Sequence, residues 1–375
     1  MMAATSSSSA ARPEGMKHPV WKRVSGSCLS RAVDIVKCAG SCVTQGEAGN
    51  HPSMDVAAAL ELLAPRLSPS ATGVRHARRL SGGASLETWA FDLSDGTPLI
   101  LRRRPDGALP RETALPLASE AALIRAAAAA GAPTPGVAHV CEPDDHLGEA
   151  YVMHRLEGET LGRRIVRDEA FVAVRPWLAR RCGEVLAQIH ATPTDHLPPL
   201  ATSDARGELA RYEGVYRDLD ARRPILEAAF RWLEAIAPAP PERPVLVHGD
   251  FRNGNLMIHP DRGLVGVLDW ELAHLGDPAE DLGWICVNSW RFGEWRKPVG
   301  GFGDYAELLS GHGGDISLDR VRFWQALGSL KWAVMCLMMY QSFATGADRS
   351  VERAMIGRRT SEAEIDLVTL MEGAA

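Results

Sequence analysis

Residues 245–284 read VLVHGDFRNGNLMIHPDRGLVGVLDWELAHLGDPAEDLGW, and the fold turns on how this stretch is parsed. Three apolar runs, 245–247, 256–258 and 264–268, are bounded by Gly, Asn, Asp and Pro, the punctuation of short buried strands. Polar groups stand at the ends of these runs. Asp250 precedes the carboxamide Asn255 by five residues, and Asp269 follows it by fourteen. Strand, loop, strand, turn, strand lets these oxygen-bearing groups converge at one end of the unit.

Such a set suits phosphoryl transfer. One carboxylate can accept the proton of an attacking hydroxyl, while an amide oxygen and a second carboxylate are hard ligands for Mg²⁺ bridging nucleotide phosphates. HGDFRNGN followed by VLDWE resembles the H-G-D-x-x-x-x-N and I/L-D-W/F elements of the aminoglycoside phosphotransferase and choline kinase family, small-molecule relatives of the protein kinases. The resemblance implies an α+β, protein-kinase-like two-lobed fold, with a small antiparallel-sheet N-lobe and a larger, mainly helical C-lobe. It gives Asp250 the place of the catalytic-loop Asp, Asn255 and Asp269 those of the Mg²⁺ ligands, and Arg252 that of a basic residue meeting the γ-phosphate. By the same resemblance His248 braces the loop, and Asp281, in the helix-like PAEDLGW, supports it from below. A zinc site from His248, Asp250 and His259 lacks a supporting spacing.

Upstream, the chain reads as β-rich from Val74. Gly82-Gly83-Ala84-Ser85 lies between two strand-like runs, where Gly82, Gly83 and Ser85 can bring backbone N–H groups close to phosphate; a plain hairpin turn gives the same pattern. The strand over 99–101 ends in Arg102. A kinase-like fold wants a lysine there, yet no lysine exists between Lys37 and Lys297. Arg102 is the residue at the matching place, permanently charged and forked but bulkier than lysine. The Ala-rich helix that follows, LPLASEAALIRAAAAAGAPTPG, has Glu120 as its only acid, and the family pattern pairs that Glu with the strand cation. The strand at 150–153 runs into residues 154–158. In the family this connection joins the lobes, so the resemblance implies that the His154 carbonyl and the Leu156 N–H face the adenine of ATP.

Helical spacing dominates from about Glu159. Residues 171–192 form one amphipathic stretch, 206–236 read as a second, and 319–343 is apolar on nearly every side, as in a buried helix. The last of these, with 350–373, resembles the subgroup of the family found alone or fused to acyl-CoA dehydrogenase domains. That subgroup implies a hydroxyl-bearing metabolite as acceptor, a hydroxyacyl-CoA. An aminoglycoside kinase and a nucleotide-binding pseudokinase are the alternatives: residues 271–315 carry eight acids against three Lys or Arg, which suits a cationic sugar, and the Arg at the lysine place invites the pseudokinase reading. Neither a Walker motif nor GxGxxG is present.

Composition bounds the rest. A chain of 375 residues with 46% hydrophobic residues is long enough for two lobes with cores of their own. A net charge of −6 without a basic tract argues against a nucleic-acid partner. The longest apolar run near the C-terminus, 332–340, is too short to cross a bilayer. Seven cysteines without a CxxC pair fit a reduced, cytoplasmic setting. Residues 1–53 are Ser-, Ala- and Gly-rich and read as a disordered extension or an organelle-targeting presequence. Residues 54–156 then form the nucleotide-binding lobe, and 157–375 the catalytic and substrate lobe.

Overall fold

The computed structural model describes residues 55–80, 86–105 and 115–373; the extension 1–53 and the residues Gly82, Gly83 and Ser85 lie outside them. Five antiparallel strands form the first sheet: β1 (Val74–Arg79), β2 (Glu87–Leu93), β3 (Pro98–Arg103), β4 (Val137–Val140) and β5 (Ala150–His154), in the order β1-β2-β3-β5-β4. Strand alternation sorts β3 by face. Leu99 and Leu101 pack with α1 (Val56–Leu67) through Leu60, Leu63, Phe91 and Val152, whereas Ile100 packs with Met153 and with Leu117 and Ile124 of α2 (Leu117–Ala129). Arg102 is two residues beyond Ile100, so it emerges on the α2 side, and its cross-strand neighbour there is Tyr151.

Beyond β5 the chain becomes helical: α3 (Gly162–Arg167), α4 (Arg175–His190), α5 (Ala205–Asp218) and α6 (Pro224–Ile236). The single helical stretch expected over 206–236 is two helices. Asp220 adopts a left-handed φ of 46° and Pro224 occupies the first turn of α6; a proline is welcome there but cannot donate to a preceding turn. Residues 350–373 likewise divide into α10 (Val351–Gly357) and α11 (Thr360–Glu372).

The central stretch forms four strands, three from its apolar runs and one more: β6 (Val245–Val247), the hairpin β7 (Leu256–His259) with β8 (Gly263–Val267), and β9 (His274–Gly276), which pairs with β6. The hairpin is tied to the connection after β5 by a reciprocal pair, Glu159 N–H to the Ile258 carbonyl and Ile258 N–H to the Glu159 carbonyl, both 2.9 Å. Under it lie α7 (Ala279–Trp284), α8 (Tyr305–His312) and the 27-residue α9 (Leu318–Ala344). No helix among the described residues is long and apolar enough to cross a membrane, and Cys141, Cys182, Cys286 and Cys336 are free thiols.

The close approach of α4 to α8 depends on Gly183, where a Cβ would run into the Leu308 carbonyl oxygen. Gly183→Ala gains about 1 kcal/mol of helix propensity but forces backbone apart in a packed core, which costs roughly 1–3 kcal/mol. We expect net destabilisation, measured as a lower midpoint of urea unfolding.

Candidate active site

The loop between β6 and β7 is held from below by one buried carboxylate. Asp281, on α7, accepts from the backbone N–H of His248 (2.8 Å) and of Gly249 (2.9 Å), and from His190 Nε2 (3.2 Å). Burial alone would raise the Asp281 pKa; the His190 and His248 donors outweigh it and hold the carboxyl below its ordinary range. Gly249 has φ 79°, and a side chain there would strike the Leu272 carbonyl, so the turn requires glycine.

His248 is fully buried and both ring nitrogens are committed. Nδ1 accepts from the Asp250 N–H (3.2 Å), which leaves the proton on Nε2 to donate to the Leu268 carbonyl (3.0 Å). Burial lowers its pKa. A neutral imidazole in that tautomer ties the Asp250 loop to the strand end before Asp269, a bracing role rather than proton transfer.

Asp250 is the most contacted side chain in the loop. Arg252 forks onto it, Nε to Oδ1 at 2.8 Å and Nη2 to Oδ2 at 3.0 Å. Trp284 Nε1 donates to Oδ1 (2.7 Å) and Asn255 Nδ2 to Oδ2 (2.7 Å) and to the Asp250 carbonyl (3.0 Å). With its nitrogen spent there, Asn255 turns its amide oxygen away from Asp250. Arg252 also lies over Trp290, 4.5 Å from the ring centroid. Its charge is thus engaged by Asp250 in the resting chain.

Asp269 follows β8 with φ 66°, a left-handed conformation that is uncommon for a residue with a side chain. The carboxylate is about one-third exposed, and Arg102 Nη2 reaches it across the lobes at 3.0 Å. Burial would raise its pKa, but Arg102 overrides that and lowers it. The same Arg102 nitrogen lies 3.8 Å from Glu120 Oε2. The Glu120–Arg102 ion pair is therefore present, though longer than the contact to Asp269. Burial pushes the Glu120 pKa up to about 7, with Arg102 too distant to reverse it, and Tyr151 donates to it at 3.2 Å. Arg102 Nε is buried without a hydrogen-bond partner among the described residues. An orphaned guanidinium N–H beside the Asp269 carboxylate, a hard-oxygen donor, fits a phosphate chain carrying Mg²⁺, for which Asn255 Oδ1 is a second hard oxygen in the preceding loop.

Farther out, the His154 side chain is exposed, and Leu156 packs onto Gly266 of β8, where a Cβ would collide with it. The residues missed in the sequence are Trp284, Trp290 and Lys331. Six of the ten tryptophans fall within 270–332, and Trp284 is three residues beyond Asp281, on the same helix face; those two signals pointed to the tryptophans. Lys331, buried in α9, bonds Glu208 (3.0 Å) and Glu280 (3.1 Å) and lies 5.6 Å from the Trp284 ring centroid.

A small antiparallel sheet with its helix, facing a helical body that presents a bracing histidine and two loop-end carboxylates, defines a kinase-like phosphotransferase. The chain belongs to the phosphotransferase enzyme family, whose model matches residues 76–324. Among curated relatives it is 31% identical over 235 residues to acyl-CoA dehydrogenase family member 10 of Mus musculus, covering 59% of this chain and 21% of that protein. It is 27% identical over 336 residues to family member 11 of Gallus gallus, covering 81% and 42%. The matched residues thus span less than half the length of these relatives. Among solved structures, a candidate aminoglycoside phosphotransferase of Ralstonia eutropha aligns with TM-score 0.65 at 22% identity, over 84% of this chain and 98% of that one. A choline/ethanolamine kinase family protein of Mesorhizobium loti aligns with TM-score 0.53 at 21% identity, over 84% and 94%. At these identities the likeness is one of fold.

The ion cluster behind Trp284 sets a pH dependence. Burial pulls the His274 pKa down, but Glu280 at 3.3 Å outweighs it and raises it to about 9. A raised histidine pKa stabilises the folded chain fully below its ordinary value near 6.5, and that contribution disappears as pH rises through about 9. His274→Gln should therefore lower the melting temperature most at about pH 6, with the gap to wild type closing by about pH 10.

Proposed function

We propose that this chain transfers the γ-phosphate of ATP to a hydroxyl of a small molecule, and that the acceptor is a hydroxyacyl-CoA. Residues 54–156 serve as its nucleotide-binding lobe and 157–375 as its catalytic and substrate lobe. The observation that carries the reading is the 3.0 Å contact between Arg102 and Asp269, which brings the phosphate-binding cation of one lobe against the candidate metal ligand of the other. Similarity to acyl-CoA dehydrogenase family members 10 and 11 supports the acyl-CoA acceptor. Free thiols at all four described cysteines support a cytoplasmic setting.

In the reaction, the acceptor oxygen bonds to the γ-phosphorus as the bridging P–O bond to ADP breaks, and the hydroxyl proton passes to Asp250. Trp284 and Asn255 fix the carboxylate orientation through their hydrogen bonds at 2.7 Å each. Arg252, forked on Asp250, stands beside the reacting group and can share its guanidinium with the transferring phosphoryl oxygens. Asn255 and Asp269 would hold Mg²⁺, which neutralises charge on the phosphates. Arg102 steadies the phosphate chain, with Gly82, Gly83 and Ser85 as the backbone cover, and the His154 and Leu156 backbone meets the adenine. Glu120 keeps Arg102 in place. Positioning and charge neutralisation then supply most of the acceleration.

One observation favours a second reading, nucleotide binding without turnover: both Asp250 oxygens are already engaged. Transfer of label from γ-labelled ATP to 3- and 4-hydroxyacyl-CoAs, with Asp250→Asn as the blank, decides between them. We expect Asp250→Asn to lose turnover while ATP still raises the melting temperature; wild-type turnover in that variant overturns the catalytic assignment.

Arg102→Ala should weaken Mg²⁺·ATP binding roughly 10- to 100-fold, the equivalent of charge-assisted hydrogen bonds contributing about 1.5–3 kcal/mol. Calorimetric titration checks it, and unchanged affinity removes Arg102 from the phosphate site.

A further inference from the structure

The carboxylate that braces the Asp250 loop is the inner end of a longer hydrogen-bonded chain. His190, the last residue of α4, lies with Nε2 3.2 Å from Asp281 Oδ2 and with Nδ1 3.1 Å from Nε2 of His312, the last residue of α8. His312 Nδ1 in turn receives the Gly314 backbone N–H at 3.2 Å. The His190 and Asp281 side chains are 5% and 0% exposed, so neither can turn to bulk water for a substitute partner. His312, at the outer end, is half-buried.

The two ends of the chain fix where its protons sit. An ionised carboxylate only accepts, so His190 carries a proton on Nε2. A backbone N–H only donates, so His312 Nδ1 is an acceptor and the His312 proton is on Nε2. That proton points at His190 Nδ1, which is then the lone-pair nitrogen. One arrangement gives every contact one donor and one acceptor: Gly314 N–H to His312, His312 to His190, His190 to Asp281, with both rings neutral. Burial and the neighbouring His190 push the His312 pKa down to about 4, which keeps that ring neutral at pH 7. All three hydrogen bonds run the same way, and each polarises the next.

The backbone around the two rings is shaped for this contact. α4 and α8 touch at Gly311, where a Cβ would meet the Arg180 carbonyl oxygen, as they do at Gly183. Gly313 ends α8 in a left-handed turn, φ 70°, which carries the Gly314 N–H back to His312. A Cβ on Gly314 would stand 2.8 Å from His312 Nδ1, so a side chain there would crowd the ring out of its place.

We infer that His312 is a positioning residue of the candidate active site: acting through His190, it orients the Asp281 carboxylate that holds the Asp250 loop. The inference rests on the phosphotransferase reading for Asp250 as the reacting carboxylate. Asp281 Oδ2 receives both His190 Nε2–H and the His248 backbone N–H (2.8 Å), so a swing of the His190 ring moves an oxygen from which the loop hangs. An imidazole held at one nitrogen can pivot about that contact, whereas one held at both cannot. His312 supplies the second hold.

The test compares the full wild-type chain with His312→Phe, which fills the space without a donor, and His312→Gln, whose amide N–H can still donate to His190. Hydrogen exchange at the His248 and Gly249 amides reads the loop directly. We expect it about tenfold faster in His312→Phe, with the amides of β3 and β5 unchanged, and close to wild type in His312→Gln. In label transfer from γ-labelled ATP to 3-hydroxybutyryl-CoA, His312→Phe should lose about five- to tenfold in kcat, with the KM for ATP within about twofold of wild type and with recovery in His312→Gln. A residue that only stabilised the chain would speed exchange at all amides alike and leave kcat unchanged. Unchanged exchange at His248 and Gly249, an equal rise throughout the chain, or unchanged kcat in His312→Phe overturns the inference. So does a proton on His312 Nδ1, or a charged His190, in the nitrogen NMR spectrum of the wild-type histidines at pH 7, a measurement that needs no variant to fold. Failure of the phosphotransferase reading shows separately, as absence of label transfer in the wild type, and the exchange rates then decide alone whether His312 orients the loop.

Discussion

The Asp281 carboxylate, fully buried and receiving the backbone N–H groups of His248 and Gly249, is the contact on which the rest of the site depends. A buried charge is tolerated only when its lone pairs are met. Three donors meet this one, and two of them belong to the segment that must carry Asp250. The loop therefore cannot relax without leaving an anion unsolvated in the core. His248 extends the constraint sideways, since its ring accepts from the Asp250 N–H and donates to the Leu268 carbonyl. One carboxylate and one neutral imidazole thus fix two strand ends relative to each other, and with them Asp250 and Asp269, the two acids of the candidate site.

The lobes are registered by fewer contacts. Glu159 and Ile258 exchange backbone hydrogen bonds, Leu156 sits on Gly266, and Arg102 reaches Asp269. The first two set the hinge; the third crosses the cleft. On the phosphotransferase reading proposed above, a nucleotide entering between the lobes would compete with the third contact, and the hinge contacts would stay in place.

Much of this was legible in the sequence because the decisive residues are strand-end polar groups flanked by apolar runs. Strands at 245–247 and over 256–259 and 263–267 follow directly from that punctuation. β4 and β9 were not visible: Val137–Val140 reads VAHV and His274–Gly276 reads HLG, short segments that lack the uninterrupted apolar run marking β6 and β7. The break at Asp220 was hidden because Asp and Arg on either side continue a plausible helical face, and Pro224 at a first turn looks the same as a proline ending a helix. Lys331 escaped for a different reason. Its contacts with Glu280 and the Trp284 ring join α9 to α7, elements 47 residues apart at Trp284 and Lys331, and no local pattern records such a contact.

The two arginines nearest the candidate site answer a problem of charge set by its two converging carboxylates. Arg252 neutralises Asp250 through two hydrogen bonds, and Arg102 neutralises Asp269 through one. Left alone, two acids converging in a partly buried cleft would repel each other and favour protonation. Paired, they stay ionised and oriented. On the phosphotransferase reading proposed above, a polyanionic nucleotide would be met by exchange, the Arg102 and Arg252 guanidinium groups turning from carboxylate to phosphate oxygens, with Asn255 and Asp269 the residues that would hold Mg²⁺. Each charge would then keep a partner of opposite sign, and the desolvation penalty of several kcal/mol per bare ion would be avoided. Arginine suits that exchange better than lysine. Its fork can hold a carboxylate and a phosphate oxygen at once, and Arg102 Nε, buried and unpartnered beside Asp269, is a donor in place for the second.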